Sequence, residues 1–237
     1  MNQYVLMTYY VKYLKEIRKV SDSTVKHYQQ ALRYISDFLV KQGKIKQSIY
    51  EIQNIDELGG IREYLYNNPA FTALDMRGHR MYSAGLNNYY RFATGKGFEN
   101  IHQQIEIMDI EMPIANKQSK MVGIWKRSTI IKMQAIKSAG YECEINSNHT
   151  TFISKSTGHP YMEGHHVLPM KYQDKFNHSL DVYANVICLC PTCHRLLHYG
   201  ISSEKMNVVN KIYYDRVGRL EVSGLKLTIT EFRSLIV

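Results

Sequence analysis

The amino-acid sequence predicts an α+β fold in which a helical bundle is followed by a smaller domain of strands and helices. Apolar residues recur at helical spacing through residues 1–98. That period is lost over residues 99–122, which include the polar stretch MPIANKQSK. All four cysteines and most of the histidines lie beyond this stretch. The 237 residues suffice for two small domains, at roughly 100–200 residues per domain. We therefore predict a helical domain over residues 1–98, a linker over 99–122 and a second domain over 123–237.

Four helices are predicted within residues 1–98, because apolar residues three or four positions apart share one face of a helix. The apolar stripes are Leu6, Tyr10, Tyr13 and Ile17; Val25, Tyr28, Leu32, Ile35 and Leu39; Leu58, Ile61 and Leu65; and Tyr82, Leu86, Tyr89 and Ala93. Ser21 or Ser23 is a suitable cap for the second helix, and Gly43 suits its C-terminal end. The stretch NNP at residues 67–69 is predicted to end the third helix.

Three further helices are predicted in the second domain. The first is capped by Ser128 and ends at Gly140. The next starts at Ser202 or Ser203, and the last begins at TITEF, in which Thr228 and Glu231 have the spacing of a capping box.

The charge and hydropathy of the chain limit its partners. The net charge of +9 favours a polyanion, and nucleic acid is the simplest one. The N-terminal residues have neither the apolar run nor the small-residue cleavage site of a signal peptide. No stretch approaches the roughly 18 apolar residues of a membrane span. These features predict a soluble, cytoplasmic protein without a membrane partner. In that reducing compartment, clustered cysteines favour metal binding over disulfides.

Two motifs contain most of the chemistry. In YMEGHHVLPM, residues 161–170, His165 and His166 are adjacent, so on a strand their side chains point to opposite faces. In NVICLCPTCHRLLHYG, residues 185–200, His194 and His198 are four apart and share one face of a helix. Together with His165, these two histidines can hold one divalent metal and leave a coordination position open. His166 then remains available as a general base.

Residues 125–200 resemble the HNH, or ββα-metal, nuclease family. The resemblance rests on EGHHVLP, on CPTCHRLLH and on Asn185, which lies nine residues before His194. It implies that His165, His194 and His198 bind the catalytic metal and that His166 activates water. It also implies that Asn185 holds the loop that orients His166. Magnesium, manganese, nickel and zinc are all candidates for the catalytic metal. The implied reaction is hydrolysis of DNA to 5′-phosphate and 3′-hydroxyl ends.

The same family often has a structural zinc held by two Cys-x-x-Cys pairs. Cys190 and Cys193 provide the second pair. The first pair is incomplete, because Asn146 stands where the cysteine partner of Cys143 is expected. We predict a zinc site of Cys143, His149, Cys190 and Cys193, with Cys188 as the alternative to His149. The expected fold class is thus an N-terminal helical bundle followed by a small zinc-stabilised ββα-metal (HNH) domain with flanking helices.

Three further residues allow two interpretations each. Glu163 is either an exposed strand residue or a support for the metal ligands. Arg195 is either solvated or a phosphate contact. Trp125 is either a core residue or a stacking platform, and we favour the core. In the N-terminal domain, VSDSTVKHYQQALRYISDFLVKQG weakly resembles the helical core-binding domain of tyrosine recombinases. That resemblance implies DNA binding, and packing or dimerisation is the alternative.

The run EGHHVLP … LDVYANVICLCPTCHRLLHYG is similar to HNH domains of restriction enzymes, including those that attack modified cytosine. We therefore predict a restriction endonuclease that cuts double-stranded DNA as a homodimer. Whether it needs a modified base is left open. A non-catalytic zinc-stabilised DNA-binding protein and a mobile-element or homing nuclease are the two alternatives.

Overall fold

Helices form the first of two compact units, Met1–Gly97 and Phe98–Val237. The computed structural model describes residues 4–98, 105–114, 125 and 127–236. The first unit contains α1 (Val5–Lys12), continued by a wider turn over Tyr13–Ile17, then α2 (Asp22–Lys41), α3 (Ile55–Tyr66), α4 (Pro69–Arg77) and α5 (Met81–Ala93). All the residues of the four predicted apolar stripes are buried or half-buried. The predicted apolar stripes therefore lie on the inward faces of these helices.

The core of the first unit is rich in tyrosine. The ring of Tyr89 meets those of Tyr10 and Tyr50 edge-on, each at a centroid distance of 5.2 Å. Helices α2 and α5 approach closely at Gly85, where an added Cβ would lie only 2.7 Å from Cβ of Ala31. Most of the tyrosines predicted at helical spacing thus serve as packing residues.

The first unit has one more helix than the sequence analysis predicted. The stretch NNP does end α3, as predicted, but it also starts α4. Asn68 accepts hydrogen bonds from the backbone N–H groups of Ala70 and Phe71, and Pro69 occupies the first position of the helix. Proline suits that position because its missing N–H would have no partner there. The same residues are therefore both a stop and a start signal.

The second unit combines a two-stranded antiparallel sheet with four helices among its described residues. The elements are α6 (Thr129–Ser138), β1 (Glu163–His166), β2 (Val186–Leu189), α7 (Pro191–Tyr199), α8 (Ser202–Val222) and α9 (Ile229–Ile236). In the sheet, His165 is opposite Ile187 and His166 is opposite Val186. Ser128 caps α6, and Thr228 and Glu231 form the predicted capping box at the start of α9. The chain is therefore mostly helical, with a small sheet.

Helix α8 fixes the segment that leads into β2. The guanidinium of Arg216 is buried and donates to the carbonyl oxygens of Ala184 (2.9 Å) and Val186 (3.1 Å). Its other Nη atom contacts the carboxylate of Glu144. Arg216 therefore fixes the backbone on both sides of Asn185, whose side chain is part of the candidate site.

The described part of the predicted linker, residues 105–114, packs within the second unit. Asp109 accepts two hydrogen bonds from Arg219, at 2.6 and 3.2 Å, and Met108 and Met112 are buried. The remainder of the predicted linker, residues 99–104 and 115–122, lies outside the described residues. No helix in the described part of the chain is long and apolar enough to cross a membrane.

Candidate active site and metal centres

Three histidines from two elements converge beside the sheet. His165 comes from β1, and His194 and His198 come from successive turns of α7, with one potential ligand atom of each within 4.8 Å of the others. The three ring centroids are 4.8–5.0 Å apart and the rings are nearly perpendicular to one another. Such a set of three imidazoles suits one divalent ion with an open coordination position. The structure thus brings together the three predicted ligands.

Burial favours the uncharged form of two of these imidazoles, those of His165 and His194. Burial, together with the neighbouring His194 and His198, lowers the pKa of His165 to about 3. Burial also lowers the pKa of His194, against the opposing effect of Glu163. Only a neutral imidazole has the free lone pair that a metal needs. Both residues are therefore ready to bind a metal at neutral pH.

Glu163 supports the histidine cluster from the same face of β1. Its Oε2 atom is in direct contact with Nδ1 of His194, and neither atom has another partner among the described residues. Its Oε1 atom accepts a hydrogen bond from the hydroxyl of Tyr161 at 3.1 Å. Because the contact occupies Nδ1, His194 has Nε2 left for a metal. Of the two interpretations of Glu163, the contacts favour support of the metal ligands.

His166 pairs with an aspartate that the sequence analysis did not single out. Its Nε2 atom is 2.7 Å from Oδ1 of Asp181. A carboxylate can only accept, so Nε2 donates and Nδ1 holds the lone pair. The second carboxylate oxygen, Oδ2, accepts from the backbone N–H of Ser128, also at 2.7 Å. The side chains are only 9% and 15% exposed, so the orientation of the imidazole is strongly constrained.

Asn185 is fully buried and ties together the two segments around His166. Its Oδ1 accepts from the N–H of Leu168 at 2.7 Å, and its Nδ2 donates to the carbonyl oxygens of Leu168 and Leu180. Leu168 lies two residues after His166, and Leu180 precedes Asp181. Asn185 therefore joins the end of β1 to the loop that contains Asp181, without touching His166 itself in any described contact.

A second cluster contains Cys143, His149, Cys190 and Cys193, with their potential ligand atoms within 4.8 Å of one another. Nδ1 of His149 is 3.5 Å from Sγ of Cys190 and 3.4 Å from Sγ of Cys193. Tetrahedral zinc with bonds of about 2.3 Å to sulfur and 2.0–2.1 Å to nitrogen places these atoms about 3.6 Å apart. The observed distances fit zinc.

The two candidates for the fourth zinc ligand, His149 and Cys188, differ in their position relative to the cluster. Burial raises the pKa of the Cys143 thiol, but backbone N–H groups of Cys190, Asn146 and Ile145 outweigh it and hold that pKa at about 7. Cys188 lies in β2 opposite Gly164, outside this cluster. Burial raises the pKa of the Cys188 thiol and also that of the Cys193 thiol, so position and not pKa separates Cys188 from the cluster. The geometry therefore favours His149 over Cys188.

Basic and aromatic side chains border the three-histidine cluster. A cavity of about 360 Å³ is lined by Lys132, Tyr161, His194, His198, Arg195 and Tyr199, among others. Arg195 is exposed and its guanidinium carbon lies 5.9 Å from the centroid of the Tyr199 ring. Trp125, which the sequence assigned to a core, is half-buried. Asp181, Tyr161 and Lys132 were not predicted from the sequence. The LD of LDVYANVICLC, in which Asp181 lies four residues before Asn185, is the signal that could have identified Asp181.

The two strands, α7 and the histidine cluster form a ββα arrangement with three candidate metal ligands. Residues 143–201 match the family model described as HNH endonuclease. The chain is also similar to the Type IV methyl-directed restriction enzyme EcoKMcrA of Escherichia coli (strain K12), with 28% identity over 98 residues. This match covers 41% of the chain and spans about a third, 32%, of that relative. No solved structure matches. Residues 143–201 are thus similar to HNH endonuclease domains, and the resemblance found in the sequence is confirmed for this segment.

Proposed function

We propose that this chain is a metal-dependent endonuclease of restriction type that hydrolyses double-stranded DNA. The observation that carries the proposal is the arrangement at the end of β1. Three imidazoles converge beside the strand, and the residue after His165, His166, is paired with Asp181. A metal site with an adjacent base is what phosphodiester hydrolysis requires.

His166 is the general base in this proposal. Because Nε2 donates to Asp181, Nδ1 is the atom that takes a proton from the attacking water. Asp181 keeps the imidazole in that tautomer and stabilises the positive charge that develops on it, as in other base–carboxylate pairs. Asn185 acts through structure, since it holds the loop of Asp181 against the end of β1. His165, His194 and His198 would hold a divalent metal, which would supply Lewis-acid stabilisation of the phosphoryl group and of the leaving 3′-oxygen.

The second cluster serves the fold in this proposal. Zinc held by Cys143, His149, Cys190 and Cys193 joins the start of α7 to the loop before β1. Binding at such sites contributes about 10 kcal/mol or more to folding. This stabilisation matters here because the sheet has only two short strands.

Several properties of the whole protein belong to the proposal as well. The net charge of +9 supports DNA as the substrate, and we assign DNA binding or dimerisation to residues 1–98. One metal site cuts one strand, so we expect a homodimer whose two sites cut strands of opposite polarity. We also expect the protein to be cytoplasmic. Light scattering of the protein with and without DNA tests this. A monomer in both states that only nicks supercoiled plasmid contradicts the dimer.

Cleavage of plasmid DNA tests the central proposal. Purified protein is incubated with methylated and with unmethylated plasmid in magnesium, manganese, nickel or zinc, with EDTA as the control. We expect linear product with at least one of the metals and none with EDTA. Cutting of the methylated plasmid alone would show that a modified base is required. Tight DNA binding without cutting in any metal would favour the non-catalytic alternative.

A further inference from the structure

A glycine in β1 lets a lysine cross the strand beside the histidine cluster. A Cβ on Gly164 would overlap Cγ of Lys132 and lie 3.2 Å from its Cε. The alkyl chain of Lys132, which projects from α6, therefore lies against the backbone of β1 at the residue before His165. Any other residue at position 164 would force this side chain away.

Lys132 borders the same cavity as two of the candidate metal ligands. Lys132 and two of the histidines, His194 and His198, line the same cavity of about 360 Å³. The side chain of Lys132 is exposed and forms no hydrogen bond or ion pair within the described part of the chain. A free cation beside a three-histidine cluster attracts an anion.

The carboxylate in this cavity is already engaged. Glu163 contacts His194 and accepts from Tyr161, so its charge is directed at the ligand cluster. The other cationic side chain that lines the cavity, Arg195, projects from α7. Lys132 and Arg195 thus bring two positive charges from separate helices to one cavity. A lysine ammonium is a compact point charge that suits a phosphate oxygen.

We infer that Lys132 is a phosphate-binding residue of the active site, whose ammonium holds a non-bridging oxygen of the phosphodiester that is cut. The inference rests on the proposed nuclease function. Negative charge builds up on the phosphoryl oxygens in the transition state. A positioned cation therefore stabilises the transition state more than it stabilises the ground state. The position of Lys132 depends on Gly164 and on the packing of α6 against β1.

The test separates the charge of Lys132 from its packing. Lys132→Met keeps most of the unbranched stem that crosses Gly164 and removes the ammonium. The control is Lys226→Met, the same change at an exposed lysine outside the cavity. Cleavage rates are measured with metal present. DNA binding at several salt concentrations is measured in the His166→Ala background, which prevents cutting.

We expect Lys132→Met to reduce kcat about 100-fold, as for loss of one transition-state donor, with metal content unchanged. The log–log salt slope of DNA binding should fall by about 0.9, the contribution of one phosphate contact. Lys226→Met should change neither quantity. Wild-type rate and slope in Lys132→Met would overturn the inference and leave the nuclease function standing. A wild-type protein that cuts nothing, but whose slope still falls with Lys132→Met, would overturn the nuclease function and retain the phosphate contact.

A second pair of variants tests the role of Gly164. Gly164→Ala should reduce cleavage in the wild-type background, because the added Cβ displaces Lys132. In the Lys132→Ala background the Cβ meets no stem, and we expect no further reduction. The effects of two substitutions are not additive when both residues act through the same contact. Equal losses in both backgrounds would contradict the steric link between the two residues.

Discussion

Replacing Asp181 by asparagine should disable His166 while leaving the shape of the site unchanged. The backbone N–H of Ser128 donates to Oδ2 of Asp181 at 2.7 Å, so an asparagine must direct its oxygen to that donor. Its NH₂ group then faces Nε2 of His166. The NH₂ group can only donate, so Nε2 becomes the acceptor and the proton moves to Nδ1. Nδ1 of His166, which should accept a proton from water, is then already protonated and cannot act as the base.

The expected reduction in kcat follows from how much a general base and its hydrogen bond contribute to the rate. A general base contributes about 10²–10⁴-fold, and the wrong tautomer removes most of it. Losing the charge-assisted hydrogen bond alone accounts for about 1.5–3 kcal/mol, which is about 10–150-fold at 1.36 kcal/mol per tenfold. We therefore expect Asp181→Asn to reduce kcat between about 10²- and 10⁴-fold, with KM little changed.

Single-turnover cleavage of plasmid DNA measures this effect, alongside metal content and a melting curve. The tautomer of His166 can be observed directly from its ¹⁵N chemical shifts by NMR. Asp215→Asn is the matched control, because Asp215 forms only an exposed ion pair with Lys211. Cleavage by Asp181→Asn within threefold of wild type would refute the reasoning. A reduced metal content would mean that Asp181 acts through the fold instead.

Three further predictions concern other parts of the chain. His166→Ala should reduce cleavage at least 100-fold and leave DNA binding in a shift assay unchanged; cutting above about a hundredth of wild type would remove His166 from its role. His149→Ala should give unstable protein with substoichiometric zinc, whereas Cys188→Ala should retain full zinc, because only His149 lies among the sulfur ligands; full zinc in His149→Ala and depleted zinc in Cys188→Ala would reverse the assignment. Residues 1–98 alone should bind DNA with a steep salt dependence, about 0.9 in log–log slope per phosphate contact; a helical fragment that shifts no DNA at low salt would leave packing or dimerisation as its role.

Local sequence determined the residues that the active site would contain. Spacings of three and four residues fix which side chains share a helical face, so the pairing of His194 with His198 needs no tertiary information. Strand alternation likewise separates His165 from His166. The same periodicity identified the buried faces of the N-terminal helices. These rules are local because they follow from the backbone geometry of a single element.

Contacts between distant segments required the tertiary structure. Asp181 lies 15 residues after His166 and Ser128 lies 53 residues before Asp181, and no periodicity relates such positions. Sequence spacing also left His149 and Cys188 as alternatives. The pairing of Cys188 with Gly164 in the sheet placed that cysteine outside the zinc cluster. Lys132 lies against β1 and borders the histidine cavity because α6 packs on β1 where Gly164 has no side chain. The sequence thus predicted the candidate metal ligands and the candidate base. The packing of loops and helices decided what surrounds them, because a side chain's neighbours depend on how separate elements meet in space.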